Sequence, residues 1–555
     1  MNGFTLSVNK NNDKKNIFEL KTFKSKGNTF DKINYEDDKF IIVIEGIILN
    51  KKELISHHWL DTLKKLYLEY GETFFKKFRG SFSGFLYDKE NDKWIIFTDH
   101  IGSKRVYYTK ISNECYVFSS KIKEIIKIKK GRNQNIELDI NASYMLLSYG
   151  YLIDKYTLTK DIFRLQPGNY ITIDKGNFYL KKYHIFSNKP NYNISNNEII
   201  EKIEKLFNQA IIRQFEKDKE HKLKHFVGLS GGLDSRITTM VSHKLGYIDQ
   251  LNFTFSKSNY LDETIPKKIA EDLKHEWIFK SLDNGLFMID IDETTLLSEG
   301  NVNYLGLAHG NSLYKYLDFK NLGIIHTGQL GDVILGTYSS YKSHAKEFNL
   351  ESGAFSKKLI SKIDFSKINI NYENEEIFKF YLRGFSGMNA GLLALQNYSE
   401  TMSPFYDVDF MEFALSIPVE KRYNHKIYKQ WIKMYHKNST NYIWEKTGKK
   451  PKNSLFSFKL SIKGKKITMR KLLTFLKIIK PPINTKNHMN PFTYWYNNNP
   501  DIKSYFNNYF KSNVNLINHN ELKKDVYYLF NTGNIIEKAL VLSLLSYLKV
   551  IHNDE

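Results

Sequence analysis

Short apolar runs alternate with turn residues through the first third of the chain. KFIIVIEGIIL (39–49), SFSGFLYD (81–88), KWIIFTD (93–99) and ECYVFSS (114–120) are rich in Ile, Val, Phe and Tyr. Such runs, spaced by about ten residues, predict a mainly β domain of packed sheets. The polar, turn-prone SNKPNYNISNN (187–197) marks its end, between Tyr183 and Asn197. From there the period lengthens. NEIIEKIEKLFNQAIIRQF has apolar residues at helical spacing, followed by a buried strand (HFVGL, 225–229), a Gly-rich turn and a helix from Ser235. QLNFTF (250–255) predicts a strand, Glu263 to Leu273 a helix, and Glu276 to Phe279 and GIIHTG (323–328) further strands. Strands alternating with helices imply a parallel sheet with crossover helices, whose ligands bind beyond the carboxyl ends of the strands.

Composition narrows the class. A chain of 555 residues with 41% hydrophobic and 15% aromatic residues has ample material for buried cores and is not a disordered protein. The single cysteine, Cys115, excludes an intramolecular disulfide framework and multi-thiolate metal sites. The sixteen histidines form no HExxH and no Cys/His metal spacing. The N-terminus has no apolar stretch long enough for a signal peptide, and no apolar run reaches the length of a membrane span, which predicts a soluble, cytoplasmic protein with no membrane partner. The net charge is +22, and residues 446–486 hold 13 Lys or Arg with no Asp or Glu. More than half of the excess is therefore local. The expectation is a basic rim that attracts ATP, pyrophosphate or an acidic substrate or carrier.

The strongest chemical signal is Leu229-Ser230-Gly231-Gly232-Leu233-Asp234-Ser235. Glycines let the backbone approach a phosphate, and N–H groups at the helix start face the anion. Ser230 and Ser235 add hydroxyl donors. Asp234 suits a magnesium ion bridging phosphates. The spacing is not that of a Walker loop, because GxxxxGK[ST] is absent. The turn resembles the pyrophosphatase loop of the ATP pyrophosphatase superfamily, whose members cleave ATP between the α and β phosphates.

Further segments resemble the asparagine synthetase family, in the family's order. FFKKFRGSFSGFLYD (74–88), TDHIGSKRVYY (98–108) and IFRLQPGNYI (162–171) look like its glutaminase domain. NFTFSKSNYLDE (252–263), TGQLGDVILGTY (327–338), ETMSPFYDVDFMEFALSIP (400–418) and Lys446-Thr447-Gly448 look like its synthetase domain. The resemblance implies a fold of class α/β with three parts. Residues 1–195 form a degenerate glutaminase-like β-rich sandwich, and 196–455 an ATP-pyrophosphatase synthetase domain on a parallel sheet. Residues 456–555 form a basic, mainly helical extension packed on it. It also implies ATP and Mg2+, with adenine and ribose held by Leu229, Phe255, Thr327 and Gly328 and the metal by Asp234 and Asp332. Lys446 would stabilise charge on phosphate or on a tetrahedral intermediate.

Departures from the family pattern are informative. Asn2 stands where the family exposes a cysteine nucleophile, and Glu45-Gly46-Ile47 replaces its glutamine-binding Asn-Gly-Glu. No glutamine hydrolysis is expected. Gln329 and Val333 replace two acidic residues, and a glutamine cannot act as a base. Glu400 is then the best replacement base, and β-lactam synthetases and lasso-peptide cyclases are the nearer likeness. The expected activity is adenylation of a small-molecule or peptide carboxylate, then amide formation with ammonia or a substrate amine. The alternatives are a non-catalytic relative that binds nucleotide or a partner, and an RNA-modifying ATP pyrophosphatase. Nucleic acid is the weaker partner, since the first 190 residues have no counterpart in the RNA-modifying enzymes.

Overall fold

The computed structural model describes residues 3–10, 16–23, 30–55, 58–340, 342–343, 349–451 and 488–553. Most of the basic stretch 446–486 therefore lies outside the described residues.

The apolar runs of the first third pair as two antiparallel sheets. One has the order β2 (Asn16–Phe23), β1 (Gly3–Lys10), β8 (Cys115–Ser119), β7 (Tyr107–Ser112), β9 (Phe163–Arg164). The other runs β11 (Asn177–Lys182), β10 (Asn169–Asp174), β6 (Lys93–Thr98), β5 (Gly80–Asp88), β4 (Phe40–Ile48), β3 (Ile33–Glu36). Side chains on a strand point alternately to its two faces. Ile41 and Val43 of β4 join Phe4 and Leu6 of β1 in the layer between the sheets. Ile42 and Ile44 face the helix Trp59–Tyr70 and the turn carrying Phe74, Phe75 and Phe78. With both faces covered, β4 is buried along its whole length, and its sequence loses the polar alternation of a half-exposed strand.

The helix Asn196–Glu220 opens the second half with a capping box between Ser195 and Glu198. A five-stranded sheet follows, ordered β14 (Glu276–Ser281), β13 (Gln250–Ser256), β12 (Lys224–Gly228), β15 (Leu322–His326), β16 (Thr401–Met402), with every neighbouring pair parallel. The first strand, β12, lies at the centre. The chain passes to β13 on one side and later to β15 on the other, which leaves a crevice where the strand order reverses. Asp218, near the end of the long helix, accepts hydrogen bonds from His225 (2.8 Å), His326 (2.7 Å) and the Ile324 N–H (2.8 Å), and so joins helix, β12 and β15. The protein thus combines α and β structure, with antiparallel sheets followed by a parallel one.

The helices at the chain end pack on both halves. Ile535–Tyr547 is buried between the helices Ile140–Tyr149 and Ile291–Ser298. The Tyr547 and Thr159 hydroxyls lie 2.7 Å apart. The end of the chain thus packs on the second half, as expected, and also touches the helix Ile140–Tyr149 of the first.

Candidate functional site

The carboxyl ends of β12, β13 and β15 open into a cavity of about 490 Å³. Leu229, Ser230, Gly232, Asp234, Ser235, Phe255, Thr327, Gly328, Asp332 and Lys446 all line it, although they span more than 200 positions of sequence. Gly231 lies behind this surface, where an added Cβ would come within 2.8 Å of Glu445. Its N–H donates to the Asp262 carboxylate (2.8 Å), which pins the loop to the helix Leu261–Leu273.

The loop folds back on its own hydroxyls. The Ser230 N–H donates to Ser235 Oγ (3.0 Å), the Gly232 N–H to Ser230 Oγ (3.2 Å), and the two hydroxyls lie 2.8 Å apart. Gly232 caps the helix Leu233–Lys244, whose positive dipole end points into the cavity. The second loop presses on this helix start. A Cβ on Gly328 would stand 2.3 Å from the Ser235 nitrogen, a backbone atom that cannot swing aside. Gly328→Ala is therefore expected to cost about 1–3 kcal/mol of stability and, if the cavity takes a nucleotide, to weaken its binding at least about tenfold. Thermal unfolding and nucleotide titration measure the two effects.

Asp234 and Asp332 share the cavity floor. Asp234 accepts from the Tyr428 hydroxyl (2.7 Å) and from the Asp332 N–H (2.9 Å). Burial pushes Asp234 up to about 7, with the nearby Asp332 carboxylate adding to the rise and the Tyr428 hydrogen bond opposing it. Asp332 is also raised, by its enclosure, while Lys446 pulls the other way. Two neighbouring buried carboxylates, one raised by the charge of the other, form a site suited to a divalent cation. Burial pushes Asp262 up to about 6 and brings His309 and His425 down to about 4, so both imidazoles are neutral at pH 7. Lys446, at the exposed mouth, holds its Nζ 5.7 Å from the Trp444 ring and supplies a positive charge beside these acids.

Glu400, the base expected from the sequence, does not line the cavity. It is buried away from the cavity, where Lys104 of the first half donates to its carboxylate at 2.6 Å. A carboxylate held in that pair is placed as structure, not as a base at the site. Met402, beside it, packs with Ile47, Leu49 and Ile324 between the halves. Glu45 is buried and paired with Lys32 at 2.7 Å, and Cys115 is buried with the Arg132 guanidinium 3.1 Å from its sulfur. Gln329 and Leu330 line the cavity, and Val333 packs against the core.

Sequence reading missed several residues. Tyr428 comes from a strongly amphipathic helix, Lys426–Tyr435, and nothing in its spacing sets it apart from its buried neighbours Trp431 and Ile432. The wall opposite the loops is built from Leu307, His309 and Gly310 on one helix and from Met388, Gly391, Leu392 and Leu395 on another segment. The first half braces that segment. Arg164 donates to Ser386 (3.3 Å), Gln396 to Ser81 (3.2 Å), and Lys104 holds Glu400. Among the described residues, no helix is long and apolar enough to cross a membrane.

Residues 30–184 match the glutamine amidotransferase domain family, which defines the class of the first half. The chain is 28% identical over 336 residues to a putative glutamine-hydrolyzing asparagine synthetase 2 of Methanocaldococcus jannaschii, covering 56% of this chain and 62% of that protein. It is 24% identical over 272 residues to asparagine synthetase 1 of Bacillus subtilis, covering 47% and 42%. The chain thus spans about half the length of these relatives. An NH3-dependent NAD synthetase from Campylobacter jejuni aligns over 41% of this chain and 94% of its own at 18% identity, with a TM-score of 0.19, too low to bear on the fold. By its sequence, the chain is similar to asparagine synthetases and carries a glutamine amidotransferase domain over residues 30–184.

Proposed function

We propose that the protein is an ATP-dependent, AMP-forming ligase that adenylates a carboxylate and passes the acyl group to ammonia or a substrate amine, without hydrolysing glutamine. The observation that carries this reading is the meeting of the Ser-Gly-Gly loop, Asp234, Asp332 and Lys446 in one cavity. The helix start and the Ser230 and Ser235 hydroxyls would bind phosphate. Mg2+ held by Asp234 and Asp332 would neutralise phosphate charge. A carboxylate oxygen attacks the α-phosphorus as the bond to the β-phosphate bridge breaks, releasing pyrophosphate. An uncharged amine then attacks the acyl carbon, loses a proton, and AMP leaves. Lys446 faces the charge that develops in both steps.

The first half is read as a brace. Its pocket ligands are changed, and the buried Glu45 and Cys115 are already engaged. Purified protein is expected to release no glutamate from glutamine, while a carboxylate panel reveals substrate-dependent exchange of labelled pyrophosphate into ATP. Glutamate release would refute the brace. Nucleotide binding without exchange for any carboxylate would favour a non-catalytic relative, the reading that Gln329 and Val333 suggest.

A further inference from the structure

We infer that Arg236 is a positioning residue that fixes Lys446 relative to the phosphate loop, an inference that rests on the ligase reading above. Arg236 lies on the helix Leu233–Lys244, one residue after the loop serine Ser235, and is fully buried. Its acceptors are all backbone carbonyls: Gly231 (3.1 Å), Ser439 (3.0 Å), Ile443 (2.6 Å) and Tyr442 (3.4 Å). The guanidinium also stands 5.8 Å from the Tyr442 ring. One of these carbonyls belongs to the phosphate loop and three belong to the strap that leads to Lys446.

The strap ends in a tight turn. The Trp444 N–H donates to the Lys449 carbonyl (3.0 Å), the Gly448 N–H to the Trp444 carbonyl (2.8 Å), and Gly448 takes a left-handed φ of 64°. Lys446 sits at the tip. The base of the turn is bonded to the loop a second time, because the Glu445 N–H donates to the same Gly231 carbonyl at 3.2 Å. Lys446 projects from an exposed turn, yet the residue before it is bonded to the Gly231 carbonyl, on the back of the phosphate loop. A misplacement of about 1 Å costs on the order of 100-fold in rate, so such a tie is catalytically significant. The planar fork of arginine reaches several carbonyls at once, whereas a lysine ammonium offers a single point of donation.

The test pairs two backgrounds with one measurement that needs no catalysis. Arg236→Lys is expected to lower kcat for pyrophosphate exchange by about 10- to 100-fold with the KM for ATP within about threefold. In a Lys446→Ala background the same change should cost less than about threefold, because its effect acts through that lysine. Amide hydrogen exchange over residues 439–449 should quicken at least about tenfold, with the strands of the first half unchanged. Equal losses in both backgrounds, a rise in KM alone, or unchanged exchange over 439–449 would overturn the inference. Should Arg236→Lys fail to fold, Arg236→Gln, which keeps a planar donor, is read in the same way. If no carboxylate supports pyrophosphate exchange, the ligase reading fails while the amide measurement still decides whether Arg236 docks the strap.

Discussion

Asp234→Asn is expected to remove carboxylate-dependent pyrophosphate exchange by at least about 100-fold while leaving a folded protein. Asparagine keeps the shape, but its one oxygen can accept from only one of Tyr428 and the Asp332 N–H, which bond different oxygens of Asp234, and it lacks the charge that a cation requires. The same change should stabilise the protein at alkaline pH. Folding lifts Asp234 from 3.8 to about 7, so the folded state binds the proton more tightly than the unfolded one. The sign follows: stability from this group is full below about pH 4 and is lost as pH rises through 7. Three units correspond to about 4 kcal/mol. Because the carboxylate opens partly to the cavity, about 2 kcal/mol is the expected gain for Asp234→Asn at pH 8, vanishing near pH 4. Urea unfolding at the two pH values measures it. Mg2+ binding to the ATP-free protein should likewise weaken about fivefold between pH 7 and pH 6, with a proton released on binding.

Lys104→Met is expected to cost about 3–5 kcal/mol, because it strands the buried Glu400 carboxylate without its cation. The double variant Lys104→Met/Glu400→Leu should recover most of that loss, since replacing both partners removes the unpaired charge. Amide formation with added amine, measured in the double variant beside pyrophosphate exchange, separates two roles. An active protein confirms that Glu400 serves only the junction between halves. An inactive but stable one restores it as a base. The pair lies on the segment whose other end forms the cavity wall, so a rise in the KM for the carboxylate is the expected trace of a loosened brace.

Local features were legible in the sequence because local interactions set them. The apolar runs at 39–49, 81–88 and 93–99 became β4, β5 and β6, and the Ser-Gly-Gly turn opened a helix where its glycines and capping pattern required. The edge strand β11 and the short strand β16 were not legible. β11 is largely exposed, and β16 has only two residues, so neither carries an apolar period.

The sequence by itself determined the alternation of strands and helices, the phosphate-binding turn and the family resemblance, since each depends on residues close together in the chain. Only the tertiary structure decided which distant groups meet. It brings Tyr428 and Asp332 onto Asp234, ties the Lys446 turn to Gly231 through Arg236, and gives Glu400 to Lys104, 296 positions away. A carboxylate looks the same in any sequence. Whether it holds a cation, takes a proton or joins two domains depends on burial and on the partner that chain closure delivers.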